Sequence, residues 1–294
     1  MLGFLNLNKP AHWTSHDCVA KVRKILKTKR VGHGGTLDPL ATGVLPIAVG
    51  KATRLLPYLQ ENKAYQAIIR LGVITTSDDL EGEIVQTSPY PNITLEQIKS
   101  YLPQFLGKVK QTPPLYSAIQ KDGKRLYDLA RRGEIVEVPS RIVEIFDLEV
   151  LDYQSGEFPE LKVNIKCGSG TYIRAIARDL GQKLGIGGTL AQLIRTESCG
   201  MLLEHSLSFE DILAQEDQFR LISPHFALPN LDKIVLSLEA SQGFCQGKQL
   251  SESGDWVGFL RVEDELGNFL GIGEVLEGII KPKVVLWEMG LPYI

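Results

Sequence analysis

Hydrophobic and polar positions follow two rhythms along this 294-residue chain. Residues 3–8 alternate with a period of two and predict a short strand that Pro10 ends. Thr14, with Asp17 three positions on, has capping-box spacing with Asp in the usual Glu/Gln place, which predicts a helix start. Val19, Val22, Ile25 and Leu26 then form an apolar stripe of helical period. Residues 64–72 predict a strand, with Tyr65, Ala67, Ile69 and Leu71 set against Gln66, Ile68 and Arg70. Residues 94–106 predict a helix that turns Leu95, Ile98, Leu102 and Phe105 inward. Strands follow near 142–152 and 160–166, and a helix over 172–184 opens after the Gly168-Ser169-Gly170-Thr171 turn. Residues 111–140 are irregular and polar, with a short helix expected around Arg125 to Arg131; so long an excursion suggests function.

Residues 215–230, rich in Gln, Glu and Asp with Pro224 and Pro229, suggest a linker. Beyond it, residues 235–238, 256–262, 268–275 and 284–287 predict short strands separated by Gly, Asp and Asn. The expected domains are therefore 1–229, including the 111–140 excursion, and a small β-rich one over 230–294.

A hydrophobic fraction of 44% supports a real core. The net charge of −3 argues against a general nucleic-acid coat, but six of the ten residues from Lys21 to Arg30 are cationic. A basic face on a mildly acidic protein follows, with Lys21, Arg23 and Lys24 as candidate phosphate contacts; the plainer alternative is a solvated amphipathic helix. The four cysteines (18, 167, 199, 245) are scattered without a C-x-x-C pair, as expected of thiols in a reducing compartment. No segment reads as a signal peptide or a bilayer span, and the expected location is cytoplasmic.

Directly after the basic stretch, residues 30–46 carry glycines 32, 34, 35 and 43 around His33 and Asp38. This segment has too little apolar periodicity to predict ordinary core, and reads as backbone that turns sharply or lies against another molecule. Asp38 before Pro39 is also a common helix-cap arrangement. Tyr65 by itself is a core or interface aromatic, and Arg174 and Arg178 by themselves are surface residues of a helix. Metal and nucleotide chemistry find no support. Gly43 to Lys51 has the wrong spacing for a P-loop, with Ala52 where Ser or Thr would bind magnesium. The five histidines form no H-E-x-x-H and no zinc spacing, and neither a G-x-S-x-G nor a G-x-G-x-x-G after a strand is present. No cofactor and no metal is expected.

The order of motifs settles more than any one residue. Asn8-Lys9-Pro10, Trp13-Thr14-Ser15 and the run from Gly32 through Asp38 to Pro46 come first. Lys63-Ala64-Tyr65, Leu71-Gly72 and the Thr76, Asp79, Gly82 turn follow. Pro113-Pro114-Leu115-Tyr116-Ser117-Ala118, Gly123 to Tyr127 and Gly170-Thr171-Tyr172-Ile173-Arg174 complete the series. Over residues 3–205 this pattern resembles the TruB family of pseudouridine synthases. Phe244 to Lys248 and Leu270 to Val275 more weakly resemble the PUA-type RNA-binding module often appended in that family. Two positions depart from the family pattern: His12 stands where Gly is usual, and Gly34 where Thr is usual.

The resemblance implies an α+β pseudouridine-synthase fold, a mixed and mostly antiparallel sheet flanked by helices, plus a small PUA-like β domain. It implies cofactor-independent isomerisation of uridine 55 in the T-loop of tRNA by base flipping. Asp38 would be the catalytic carboxylate, either attacking the nucleoside or abstracting a sugar proton. Tyr65 would stack on the flipped base, His33 would fill the gap it leaves, Arg174 would pair with Asp38, and Tyr172 and Leu193 would line the pocket. The partner would be the tRNA T-arm, with no membrane and no obligatory protein partner, and the chain is expected to be a monomer. A catalytically silent RNA-binding protein is the competing class, disfavoured because Asp38, Tyr65 and Arg174 all stand. A guide-RNA-dependent relative ranks lower, because such enzymes commonly carry longer terminal extensions.

Overall fold

The computed structural model describes residues 1–116, 138–215, 219–251 and 256–286, and the backbone of 120–121 and 124–125. In chain order the first elements are β1 (Gly3–Lys9), α1 (Ser15–Ile25), β2 (Val31–His33), β3 (Thr42–Val49) and a 3-10 stretch (Gly50–Tyr58). Next come β4 (Lys63–Leu71), the hairpin of β5 (Val73–Thr75) and β6 (Ile84–Thr87), α2 (Leu95–Tyr101) and β7 (Gly107–Gln111). A hairpin of β8 (Gln120–Lys121) and β9 (Lys124–Arg125) precedes β10 (Arg141–Gln154), β11 (Glu160–Cys167), α3 (Ile173–Lys183), β12 (Gly188–Ser198) and β13 (Met201–Leu202). The chain ends through α4 (Phe209–Ala214), α5 (Pro224–Ala227), β14 (Asp232–Leu236) and α6 (Leu238–Cys245). The closing strands are β15 (Leu250–Ser251), β16 (Gly258–Asp264), β17 (Phe269–Leu276) and β18 (Ile279–Val285).

These elements form two compact units. One comprises Met1–Asp38, Val44–Gln60 and Ser198–Ile294, the other Pro39–Gly43 and Glu61–Glu197. In the first, β3 pairs with β1 and, antiparallel, with β2 through Val31↔Val49 and His33↔Ile47. The predicted capping box of α1 is present: Thr14 Oγ1 accepts from the Asp17 N–H (3.1 Å), and Asp17 Oδ2 accepts from the Thr14 N–H (3.0 Å). Val19 and Val22 of the α1 stripe are buried with Leu5, Leu7, Leu45 and Ile47, while Ile25 and Leu26 pack at the edge of that cluster. The closing sheet has the order β14-β16-β17-β18-β15, parallel only at β14–β16. Phe269, Ile272 and Val284 from it share a core with Phe4, Val44, Ala48 and Leu55, so its inner face is closed by the start of the chain.

The second unit orders its strands β12-β4-β11-β10-β7, antiparallel from β4 through β7. Within this unit Thr42 and Gly43 pair in parallel with β12, Ile194↔Thr42 and Arg195↔Gly43. The alternation read in residues 64–72 is the burial pattern of β4, where Tyr65, Ala67, Ile69 and Leu71 are buried.

Several expectations need correction. Residues 42–49 are strand core: Val44, Leu45, Ile47, Ala48 and Val49 are fully buried. A strand covered on both faces shows a continuous apolar run in place of alternation, and each fully buried Val, Leu or Ile contributes roughly 1.5–3 kcal/mol. The helix expected over 94–106 breaks at Tyr101 and finishes as a 3-10 turn (Leu102–Phe105), because Pro103 has no N–H to continue the α pattern. Residues 219–230 are packed, with Ile222 exchanging both backbone hydrogen bonds with Phe4 and with Ala227 and Leu228 in the core. The strand expected at 235–238 ends at Leu236, and Ser237 caps α6 by accepting from the Ala240 N–H (3.3 Å). The strand expected at 284–287 begins earlier, at Ile279. Most of the short helix expected at Arg125 to Arg131 lies outside the described residues.

Candidate active site

The first unit contributes the glycine-rich segment. β2 ends at His33, and the Gly34 N–H donates to Pro46 O (2.8 Å), turning the chain back across β3. The Gly35 N–H donates to His33 Nδ1 (3.4 Å), and the His16 ring meets His33 edge-on at 5.5 Å. Leu37 is buried and fixed on both sides of its peptide by Ser15, whose Oγ accepts from the Leu37 N–H (2.9 Å) and donates to Leu37 O (3.2 Å). Asp38 follows, half-buried in a loop. No helix begins at Pro39; the chain bends at Pro39 and Leu40 and enters β3 at Thr42. The helix-cap reading of Asp38 is therefore not what the fold adopts.

The two departures from the family pattern have local explanations. His12 has φ +64, the left-handed region where a glycine would be unstrained, so the turn is retained at a steric cost of about 1–2 kcal/mol. At Gly34 a Cβ would lie 3.3 Å from Cys199 Sγ, Leu59 Cδ1 and Pro46 Cβ, and the Cys199 thiol donates to Gly34 O (3.5 Å). Cys199 occupies the space that a side chain at 34 would need.

Residues 39–43 belong to the second unit, where Gly43 (φ +99) lies flat against β12. A Cβ there would stand 2.3 Å from Arg195 O, so only glycine permits the approach. Leu193 is buried on the same strand, one residue before the Ile194↔Thr42 pair. Tyr65 is buried near the start of β4 opposite Ile165. Tyr172 occupies the N-cap position of α3, and α3 packs on β4.

Arg174 is not on the surface. Only 5% of it is exposed, and it meets Asp79 Oδ2 (3.3 Å), Ser77 O (3.2 Å) and Tyr116 O (3.2 Å). One turn later Arg178 reaches Asp78 Oδ2 (2.9 Å), Asp179 Oδ1 (2.8 Å) and Thr112 O (2.8 Å). Burial pushes the Asp78 carboxyl above its ordinary pKa even though Arg178 opposes the shift. Burial lowers the Arg178 pKa, but Asp179 and Asp78 outweigh it and raise the net value. Asp79 is held in turn: its Oδ1 accepts from the Glu81 N–H (3.0 Å) and Ser77 Oγ, and its carbonyl from Thr75 Oγ1 (2.7 Å). Sequence reasoning took Asp79 only as part of a turn and overlooked Asp78. The available signal was an adjacent carboxylate pair matched to two arginines four residues apart on one helix.

On α1, Arg23 and Lys24 are exposed and Lys21 is half-buried, and Arg23 also donates from Nη2 to Val31 O (3.0 Å), where β2 begins. That arginine has a structural duty beside any contact with phosphate. Among the described residues no group of three or more His, Cys, Asp or Glu could hold a metal ion, and no helix is long and apolar enough to cross a membrane.

Within the second unit, then, the fold sets Tyr172 and Arg174 on one turn of α3 packed over the strand that carries Tyr65. Within the first, it sets His33 and Asp38 on one pinned loop. Comparison with known proteins gives this geometry its class. Residues 23–173 match the family described as TruB family pseudouridylate synthase (N terminal domain), and residues 233–286 match pseudouridine synthase II TruB, C-terminal. The tRNA pseudouridine synthase B of Gloeothece citriformis (strain PCC 7424) is 56% identical, covering 97% of each chain. That of Nostoc sp. (strain PCC 7120 / SAG 25.82 / UTEX 2576) is also 56% identical, over 97% of this chain and 98% of the relative. Among solved structures, a Cbf5-Nop10-Gar1 complex superposes with a TM-score of 0.70 at 25% identity, over 93% of this chain and 78% of that one. An H/ACA RNP bound to a substrate RNA shares the fold with a TM-score of 0.72 at 24% identity, over 97% and 85% of the two chains. The chain belongs to the TruB family of pseudouridine synthases, and its chemistry is an isomerisation.

Proposed function

We propose that this chain converts uridine 55 in the T-loop of tRNA to pseudouridine, with Asp38 as the catalytic carboxylate. The observation that carries the reading is how Asp38 is presented: Leu37 before it is clamped by Ser15, and Thr42 and Gly43 after it are paired to Ile194 and Arg195. The high identity to proteins named tRNA pseudouridine synthase B supports tRNA as the substrate.

In the reaction the N1–C1′ bond breaks, the uracil turns, C5 joins C1′, C5 loses a proton and N1 gains one. Electrons balance within the nucleoside, so no redox partner or group donor is required. Asp38 either attacks the nucleoside, in a bond that breaks again when C5 joins C1′, or abstracts a sugar proton that is afterwards returned. In this reading Arg174 is the cation assigned to the Asp38 carboxylate, favouring its ionised form as an opposite charge within ~4–6 Å does, and Asp79 holds the guanidinium (3.3 Å). Extruding the base costs a few kcal/mol of stacking, which Tyr65 partly restores, with Tyr172 and Leu193 closing the pocket and His33 filling the vacated gap. Lys21, Arg23 and Lys24, together with the 111–140 excursion and the closing β sheet, hold the T-arm through its phosphates and shape. The enzyme works as a monomer in the cytoplasm.

Unmodified tRNA transcript, incubated with the purified chain and no additive, tests the proposal when pseudouridine is mapped by chemical derivatisation. A single modified position, the T-loop uridine, is expected. Modification elsewhere, or none, overturns the assignment.

A further inference from the structure

The residues that root the 111–140 excursion converge on Tyr172. Gln111, the last residue of β7, is 4% exposed, and its side-chain amide pairs with the Tyr172 backbone in both directions. Its Oε1 accepts from the Tyr172 N–H (2.8 Å), and its Nε2 donates to Tyr172 O (3.1 Å). Arg141, the first residue of β10, places its guanidinium carbon 4.9 Å from the centre of the Tyr172 ring and donates from Nη2 to Gly170 O.

Gln111 and Arg141 are directly opposite each other in the antiparallel β7–β10 register. Opposed residues send their side chains to the same face of a pair of strands, so one cross-strand pair grips both the peptide and the ring of a single tyrosine. Gly170 has φ +81, and a Cβ there would lie 3.3–3.5 Å from the Arg141 guanidinium, so glycine provides the close approach. The next pair outward is closed as well, with Thr112 Oγ1 and Ser140 Oγ 3.1 Å apart. Farther along, Thr112 O and Tyr116 O accept from Arg178 and Arg174.

We infer that Gln111 and Arg141 are positioning residues, which set the Tyr172 ring for the uridine. The inference rests on the reading of Tyr172 as a pocket residue. Neither residue needs to touch the nucleoside. A cation over a ring face and a two-point amide contact restrict the ring and its backbone together.

The test uses the full chain and unmodified tRNA transcript, with the single-turnover rate and the tRNA affinity measured separately. Arg141→Ala should slow turnover about tenfold, as a sub-ångström displacement near reacting atoms does, with affinity unchanged within about twofold. Arg141→Lys, which keeps the charge over the ring, should recover part of the rate. Gln111→Asn, one methylene too short to reach the Tyr172 peptide, should likewise lower the rate and not the affinity. In a Tyr172→Leu background, Arg141→Ala should cost less than about twofold, because its target ring is gone. Losses that multiply fully in that background, or a fall in affinity at unchanged rate, would overturn the positioning role while leaving Tyr172 in the pocket. A Tyr172→Leu enzyme as fast as the unaltered chain would overturn the pocket reading and the inference together.

Discussion

The loop around Asp38 and the N-terminal turn of α3 are held by opposite means. Around Asp38 the backbone is fixed by neutral groups: the Ser15 hydroxyl on Leu37, and strand pairing of Thr42 and Gly43. At α3 the side chains are fixed by charge, with Arg174 on Asp79 and Arg178 on Asp78 and Asp179. The first arrangement locates Asp38 through the backbone of its neighbours. The second must neutralise guanidiniums inside the fold, where an unmatched charge is costly. The loop of the proposed catalytic acid is thus pinned along its backbone, and the α3 guanidiniums by countercharges.

This contrast predicts different failures in the two regions. Asp38→Asn keeps the loop and its pins, so binding of tRNA should persist while turnover falls by at least about 10²–10⁴-fold. Assayed by pseudouridine mapping beside a filter-binding titration, retained turnover would remove Asp38 from the chemistry. Asp79→Asn should instead show as instability, because Arg174 and Asp79 have side chains only 6% and 10% exposed. Breaking such a pair should lower unfolding free energy by about 3 kcal/mol in a urea titration. An unchanged midpoint would mean that the other partners of Arg174 suffice. Ser15→Ala leaves the buried Leu37 peptide without its hydroxyl and should cost about 1–3 kcal/mol of stability. If the loop is held as described, its single-turnover rate should also fall while tRNA affinity holds. A rate equal to the parent's would show that strand pairing by itself positions Asp38.

Much of the fold could be read along the chain. The period-two pattern of β4, the Thr14 and Asp17 cap and the apolar stripe of α1 are local, and each stands where the pattern put it. The residues proposed for the site were legible through the order and spacing of motifs. His33, Asp38, Tyr65, Tyr172 and Arg174 stand out because the motifs that carry them resemble, in order and spacing, those of the TruB family. The strand of residues 42–49 was hidden because burial on both faces removes the alternation by which a strand is recognised. The packed segment 219–230 was hidden because its apolar residues follow no regular period and sit among prolines and polar side chains.

The sequence by itself determined the local elements and the set of chemically capable residues, since capping, periodicity and glycine placement act over a few neighbouring positions. Tertiary structure alone decided that Arg174 is buried on Asp79, that Gly43 lies flat on Arg195, and that Gln111 and Arg141 share Tyr172. Those contacts join residues about 30 to 150 positions apart. Whether such residues meet depends on strand register and helix packing, which join segments distant in the chain.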